Sequence, residues 1–109
     1  MYLNATDRET YLQESPISLD SGSTTTIAIR YWGVPSSASA VVKKVTVAGE
    51  TDVTSTVMTS GAVSVSGSTL TLKPLVLAAA NAGYEHIVYI TATVNSDITV
   101  KRLKINVPA

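Results

Sequence analysis

The stretch Ser60–Val94, SGAVSVSGSTLTLKPLVLAAANAGYEHIVYITATV, decides the fold of this 109-residue chain. Apolar residues alternate with polar ones on both sides of Ser66–Ser68, as in two strands joined by a tight turn. Pro74 cannot donate to a strand ladder, so the second strand should end there. An alanine-rich segment, a glycine and a tyrosine then lead into a long alternating strand, Ile87–Val94. This order of elements is typical of an antiparallel β-sandwich.

Composition favours the same fold class. The chain contains 14 Val, 15 Thr and 7 Ile, so one residue in three is β-branched and suited to a pleated sheet. Hydrophobic residues make up 45% of the sequence and aromatic residues only 6%. These proportions, in a chain of this length, predict a single domain with an aliphatic core.

The segments on either side of the deciding stretch add further strands. Alternation over Thr24–Trp32 places either Tyr31 or Trp32 on the core side, and the pattern does not choose between them. The other predicted elements are strands at 17–19, 40–48 and 53–58, a loop at 33–39, one or two helical turns within 75–81, and a closing strand at 98–107. About seven or eight strands, with a turn roughly every 8 to 12 residues, describe an Ig-like antiparallel β-sandwich.

The closing strand changes its apolar phase. Ile98 and Val100 have even numbers, whereas Leu103, Ile105 and Val107 have odd ones. A shift by one residue indicates a β-bulge, which would rotate one part of the strand relative to the other. The alternative is a strand that is buried on both faces at one end.

Residues 1–15 lack a clear period, and we expect them to form an extended N-terminal arm, ordered only against a partner, before an Ig-like sandwich domain at 16–109. Thr6-Asp7-Arg8-Glu9 matches a capping box, so a short helix is the alternative. Charged residues stand where a secretory signal would need an apolar run, and no stretch approaches the roughly 18 apolar residues of a membrane span. We therefore expect a chain that is made and kept in a cytoplasm, without a membrane partner.

No pattern of residues indicates an enzyme, a cofactor or a metal ion. Cysteine is absent, and His86 is the only histidine, with Glu85 beside it but on the opposite strand face. Glu50 and Asp52 lie in one turn, without the further oxygen ligands that calcium requires. We predict no catalytic, cofactor-binding or metal-binding residues.

Charge argues against a nucleic-acid partner, because eight basic residues balance eight acidic ones. The small basic clusters, Lys43-Lys44 and Lys101-Arg102 with Lys104, are interpreted as solvated edge strands. They are expected to lie apart from the aromatic side chains that would stack on bases.

A protein partner fits the composition better. Charged residues make up only 15% of the chain, and abundant Ser and Thr suit a surface packed against neighbours. An outward Trp32 beside the 33–39 loop would anchor such a contact. The predicted interface residues are Tyr2, Leu3, Tyr11, Leu12, Trp32 and Val34.

The C-terminal half resembles a known family. Its strand pair, Ala-Gly-Tyr step, long strand and basic closing strand, AGYEHIVYITATV…ITVKRLKINV, look like the ending of the fiber–tail adaptor family, small Ig-like proteins of tailed bacteriophage virions. The resemblance covers Leu70–Val107. It implies a non-enzymatic virion structural protein, assembled in the host bacterial cytoplasm in several symmetric copies. Its partners would be tail, neck, fiber or capsid subunits, with the chain acting either as an adaptor in the neck or tail or as a capsid decoration protein.

A second function class stays open at this stage. The chain would then be an Ig-like binding or adhesion module of a bacterial surface or secreted protein, and its gene would encode a signal peptide and tandem copies. A small β-sandwich enzyme is a third class, and it would need a pocket around His86 with nearby carboxylates.

Overall fold

The computed structural model describes residues 1–58 and 63–109. Within those ranges, strands dominate, and Pro35–Thr46 (β5), Glu85–Val94 (β10) and Asp97–Asn106 (β11) are the longest; the described helices are one α-helical turn and one 3-10 turn. The elements in chain order are β1 (Tyr2–Asn4), β2 (Ile17–Ser18), β3 (Thr24–Thr25), β4 (Ala28–Arg30), β5 (Pro35–Thr46), β6 (Gly49–Asp52), α1 (Thr54–Val57), β7 (Ser64–Ser66), β8 (Thr69–Thr71), β9 (Leu75–Val76), a 3-10 turn (Ala79–Asn81), β10 (Glu85–Val94) and β11 (Asp97–Asn106).

The strands form two main sheets. One has five strands in the order β2-β11-β10-β5-β6, the other has four in the order β1-β4-β8-β7, and β3 pairs with β9 as a separate ribbon. Apolar side chains of both main sheets form one core, with Val88 and Ile90 from the first and Ile29 and Leu70 from the second. The predicted all-β sandwich is confirmed. Its sheets are not purely antiparallel as predicted, because β1 pairs with β4 and β2 with β11 in parallel, and the described residues form eleven strands rather than seven or eight.

Strand β10 lies at the centre of the five-stranded sheet, between β5 and β11. Alternation predicted one core face for this strand, and the structure confirms it, because every residue of that face is at most 1% exposed: Val88, Ile90, Ala92 and Val94. Burying a branched aliphatic side chain contributes roughly 1.5 to 3 kcal/mol, so this one face fixes the orientation of the whole sheet.

The predicted β-bulge in the closing strand is wrong. Strand β11 pairs with β10 without a register shift from the Val94–Asp97 pair to the Glu85–Asn106 pair. The alternative, burial on both faces at one end, is wrong as well, because Ile98 is 77% exposed and Val100 is 46% exposed. Odd-numbered residues face the core side along the strand, and these two even-numbered apolar residues face solvent.

Four element predictions also need correction. The predicted turn that contains Glu50 and Asp52 is strand β6, which pairs with β5. The predicted loop at 33–39 is mostly strand, because β5 begins at Pro35 and pairs with the far end of β10. The predicted strand at 53–58 contains α1 instead, and Asp52 Oδ1 accepts hydrogen bonds from the backbone N–H and the hydroxyl of Thr54 at its start. The segment 24–32, predicted as one alternating strand, contains two strands, β3 and β4, which belong to different sheets. The turn predicted at Thr59–Gly61 lies outside the described residues.

Residues 1–15 pack onto the sandwich, which corrects the expectation of an arm ordered only against a partner. Leu3 lies opposite Ile29 in the β1–β4 pair, and the backbone N–H of Leu12 donates to the carbonyl of Arg102 at 3.0 Å. The Leu3 and Leu12 side chains belong to the core, at 3% and 2% exposure. They bury apolar area against the chain itself, so their order needs no partner. The alternative short helix does not form at Thr6–Glu9.

Candidate interaction surface

The side of the five-stranded sheet that points away from the core is called the outer face below. Odd-numbered residues of β10 and even-numbered residues of β11 lie on it, because alternate side chains of a strand point to opposite faces. It has two parts: an aromatic–basic half, built around Tyr89 and Arg102, and an apolar half near the β10–β11 turn, defined by Thr91, Thr93, Ile98 and Val100.

Tyr89 is the centre of the aromatic–basic half. Lys43 Nζ lies 5.3 Å and Arg102 Cζ 5.2 Å from the centroid of its ring, so two cations from neighbouring strands contact one aromatic ring. The Tyr89 hydroxyl donates a hydrogen bond to Glu50 Oε1. That bond to a carboxylate favours the neutral phenol and raises the pKa of Tyr89.

Lys104 completes this half at the edge formed by residues 10–15. Its Nζ lies 5.8 Å from the Tyr11 ring centroid and 3.7 Å from Glu85 Oε1. Both members of this ion pair are more than one-third exposed, so the pair contributes little to stability. The acidic and basic groups of this half therefore compensate one another, and the half presents no strong field of one sign.

The expectation that basic and aromatic residues lie apart is wrong. Six basic side chains lie within 6 Å of an aromatic ring centroid: Arg30, Lys43, Lys44, Lys101, Arg102 and Lys104. Each of these rings therefore has a cation of the chain itself beside it. The prediction of no nucleic-acid partner now rests on charge balance alone.

Lys101 is not on a solvated edge, contrary to the sequence interpretation. Its side chain is 5% exposed on the core side of β11, and its Nζ donates to the carbonyl of Glu9 at 2.7 Å. The same ammonium lies 5.0 Å from the Trp32 ring centroid. Lys101 thus connects the N-terminal segment to the sandwich. Tyr31, at 6% exposure, is the core aromatic residue, while Trp32 is only half-buried.

His86 is completely buried and makes the contacts of a packing residue. Its Nδ1 lies 3.2 Å from the Tyr84 carbonyl, which can only accept, so the ring proton of the neutral form belongs on Nδ1. Its Nε2 lies 3.2 Å from Asn81 Oδ1, and with the proton on Nδ1 the Asn81 amide has to be turned over so that its NH₂ group donates to Nε2. Burial lowers the pKa of His86 below its ordinary value of 6.5. Neither partner is a nucleophile or a carboxylate that would give the ring a catalytic task.

The acidic residues are engaged separately rather than gathered around a cation. Glu50 accepts from the Tyr89 hydroxyl, and Asp52 accepts from Thr54, whose hydrogen bonds lower the pKa of the Asp52 carboxyl. Within residues 1–58 and 63–109, no three His, Asp or Glu side chains are close enough together to hold a metal ion.

The apolar half was missed by sequence reasoning. Ile98 and Val100 stand exposed beside the partly exposed Thr91 and Thr93. Their signal was the even numbering of apolar residues in a strand whose core face is odd. Val34, 64% exposed, lies at the same end of the sheet, because Pro35 pairs with Val94. Exposed apolar side chains that cluster in this way mark contact surfaces.

The six predicted interface residues do not form one patch. Leu3 and Leu12 are core residues, so predicting them as interface residues is corrected by their burial. Tyr2 is 61% exposed on the other main sheet, beneath the Arg30 guanidinium at 4.5 Å. The remaining three adjoin the five-stranded sheet: Tyr11 beside Arg102, and Trp32 and Val34 near the β10–β11 turn.

Gly33 allows the chain between Trp32 and Val34 to pass close to the β10–β11 turn. A Cβ atom at this position would lie 2.9 Å from Val94 Cγ1 and 3.1 Å from Asn95 Oδ1, both too short for a normal contact. Any other residue between Trp32 and Val34 would therefore force the Val94 or Asn95 side chain to shift.

Comparison of the chain with protein-family models, with curated proteins and with solved structures gave no match. In the described part of the chain, no helix has the length and apolar character needed to cross a membrane.

Proposed function

We propose that this chain is a non-enzymatic structural subunit of a tailed bacteriophage virion that attaches to neighbouring subunits through the apolar half of its outer face. Exposure of Ile98 and Val100 carries the proposal, because these two aliphatic side chains lie side by side in water on one sheet face, at 77% and 46% exposure. Contact with a partner would remove that surface from water, and each Å² of apolar surface buried contributes about 25 cal/mol of favourable free energy.

Two further features support a binding role over catalysis. The single histidine is buried against a backbone carbonyl and an amide, and the carboxylates of the outer face bond to side chains of the chain itself. The resemblance of Leu70–Val107 to fiber–tail adaptor proteins supplies the virion assignment. On that resemblance the chain is an adaptor in the neck or tail, with the capsid surface as the other position.

The test is the composition of particles purified from cells that carry the gene. We expect the chain in those particles, with cryo-EM density at a symmetric neck or tail position, whereas density on the capsid lattice would identify a decoration protein. Ile98→Lys should abolish its incorporation, and Val47→Lys should not, since Val47 is fully exposed in the turn between β5 and β6. Particles without the chain, or a secreted tandem array, would contradict the proposal.

A further inference from the structure

The segment that leads from β9 into β10 lies against the imidazole of His86, on the core side of the five-stranded sheet. The Tyr84 carbonyl lies 3.2 Å from Nδ1 of the ring, and the Asn81 side-chain amide lies 3.2 Å from Nε2. The His86 side chain has no exposure to solvent. Residues 78–84, called the cover segment below, therefore occupy both nitrogen edges of a buried titratable ring.

The cover segment is held by hydrogen bonds rather than by apolar packing. Its alanines are exposed or only partly buried, and the last core side chain before it is Leu77. Lys44 Nζ donates to the Ala80 carbonyl at 3.1 Å, and the Gly83 N–H donates to the Val107 carbonyl at 2.7 Å. Segments that bury little apolar surface open at a lower free energy than the core does. The cover segment can therefore open while both main sheets stay paired.

Lys44 is the charged side chain that faces His86. It lies directly opposite His86 in the β5–β10 pair, on the same face of the sheet. On the other side, β11 places the uncharged Ile105 opposite His86. Burial disfavours the charged form of the ring, and the positive charge of Lys44 adds to this effect, so the pKa of His86 lies below its ordinary value of 6.5.

The neighbouring acidic groups do not compensate an imidazolium. Glu85 is adjacent in sequence, but its side chain lies on the outer face, where it pairs with Lys104 at 3.7 Å. Ala109 lies against Gly83 of the cover segment, and the ring donates nothing to its carboxylate, because both nitrogens face the cover segment. That carboxylate titrates at about pH 3.5. Between about pH 5 and 7.5, the ring of His86 is therefore the group in this contact that changes its charge.

Uptake of a proton changes what the ring needs from the cover segment. The neutral ring donates from Nδ1 to the Tyr84 carbonyl and accepts at Nε2 from the Asn81 NH₂ group. In the imidazolium both nitrogens donate, so the NH₂ group of Asn81 faces a second donor. Opening the cover segment exposes the imidazolium to water, which lowers the cost of its charge. Opening also breaks the bond from Lys44 to Ala80, so the Lys44 ammonium is free to move away from the ring.

We propose that the cover segment is a pH-sensitive cap: in mild acid, His86 takes up a proton and residues 78–84 open locally, while both main sheets remain folded. Three features of the fold build the device, namely a titratable ring inside, a cation opposite it, and a cover that polar bonds hold in place. The inference does not depend on the proposed virion function, since it concerns the isolated chain.

Hydrogen exchange of single amides, measured by NMR on the whole chain, tests the opening. The reporters are the amides of Gly83 and Ala82, which donate to Val107 and Ala79 in the closed cover segment. Their protection factors, corrected for the intrinsic effect of pH on exchange, should fall severalfold between pH 7.5 and about pH 5. At about pH 5 they should be at least about tenfold lower than the protection factor of Val88 in the central strand, because the opening is local.

Two variants separate this device from a general effect of acid. His86→Gln does not titrate, so the protection of the two reporters should no longer change between pH 7.5 and about pH 5. Asn81→Asp places a carboxylate beside Nε2 as a partner for the imidazolium, so the cover segment should stay closed at about pH 5. Asn106→Asp, on the outer face of β11, adds the same charge at an exposed position and should behave like the unmodified chain.

Three results would overturn the proposal. Reporter protection that does not fall in the unmodified chain would mean that the imidazolium stays covered, with the Asn81 amide turned to accept from it. An equal fall in His86→Gln would assign the effect of acid to another group. Equal protection of Gly83 and Val88 at about pH 5 would mean that the whole fold opens rather than the cover segment.

Discussion

Tyr31 combines a buried ring with a buried hydroxyl. The residue is 6% exposed, and its hydroxyl has no hydrogen-bond partner among the described residues. Burial also disfavours the phenolate and raises the pKa of Tyr31 to about 12. The ring therefore stabilises the core while the hydroxyl costs free energy.

Tyr31→Phe should accordingly raise the free energy of unfolding by about 1 kcal/mol, because an unsatisfied buried hydroxyl is removed and the ring stays. Urea denaturation measures the change. Tyr89→Phe is the control, and it should lower stability by less than about 1 kcal/mol, since it removes a hydrogen bond that is made. A loss of stability in Tyr31→Phe would show that the hydroxyl is satisfied.

His86 gives the fold a predictable pH dependence. Its pKa in the folded chain lies below the value of 6.5 expected on unfolding, chiefly because of burial. The unfolded chain then binds the proton more readily, so stability is retained above pH 6.5 and falls as the pH drops below it. Urea unfolding at pH 7.5 and at about pH 5 should show this loss, and His86→Gln should reduce it. An unchanged pH dependence in His86→Gln would contradict the assignment.

At the scale of elements, the β10–β11 hairpin depends on its two-residue turn. Asn95 and Ser96 have φ angles of 50° and 70°, the left-handed conformations that a type I′ turn requires. Asparagine tolerates this region, whereas serine does not favour it. The turn sets the register of the two strands that carry the apolar half.

Ser96→Gly should therefore raise the free energy of unfolding, by about 0.5 to 1 kcal/mol, because glycine adopts positive φ without strain. Thermal and urea unfolding measure the gain. The opposite change, Gly67→Ala in the β7–β8 turn, should destabilise the fold by about 1 kcal/mol, because φ there is +59°. No neighbouring atom would contact the added Cβ, so this change measures the backbone strain alone. No gain in Ser96→Gly would mean that the turn is not strained.

Strands β10, β5 and β11 show which features of the sheet a local sequence pattern predicts and which it does not. The core face of β10 was predictable because period-2 alternation directly reports which side chains are buried. The residue types at 33–39 predict a loop, yet the chain from Pro35 onward is strand because β10 lies alongside and pairs with it. The even-numbered Ile98 and Val100 predict a bulge only if apolar residues always face a core, and here both face solvent.

At the scale of the whole molecule, residues 1–15 are part of the sandwich. Their backbone bonds to distant strands, with Ala5 N–H donating to Arg30 at 2.9 Å and Leu12 N–H to Arg102 at 3.0 Å. Glu14 links two parts of this segment, because its carboxylate accepts hydrogen bonds from the backbone and the side chain of Asn4. Burial acts to raise the pKa of the Glu14 carboxyl, but these hydrogen bonds outweigh that effect, and the pKa is lowered.

We therefore expect the amides of Ala5 and Leu12 to be protected from hydrogen exchange in the isolated chain, with no partner present. Exchange measured by NMR tests this, and the exposed residues 7 and 8 serve as an internal fast-exchanging reference. Protection of Ala5 and Leu12 that appears only on assembly would restore the free-arm interpretation.

The sequence by itself determined the fold class, the central strand and its core face, because these depend on composition and on alternation within one segment. Tertiary structure alone decided where residues 1–15 lie, that Lys101 turns inward beneath Trp32, and that Ile98 and Val100 face solvent. Each of these depends on which distant segment occupies the adjacent position, and a local pattern carries no information about that neighbour. The candidate surface depends on such neighbours, so the sequence alone does not predict it.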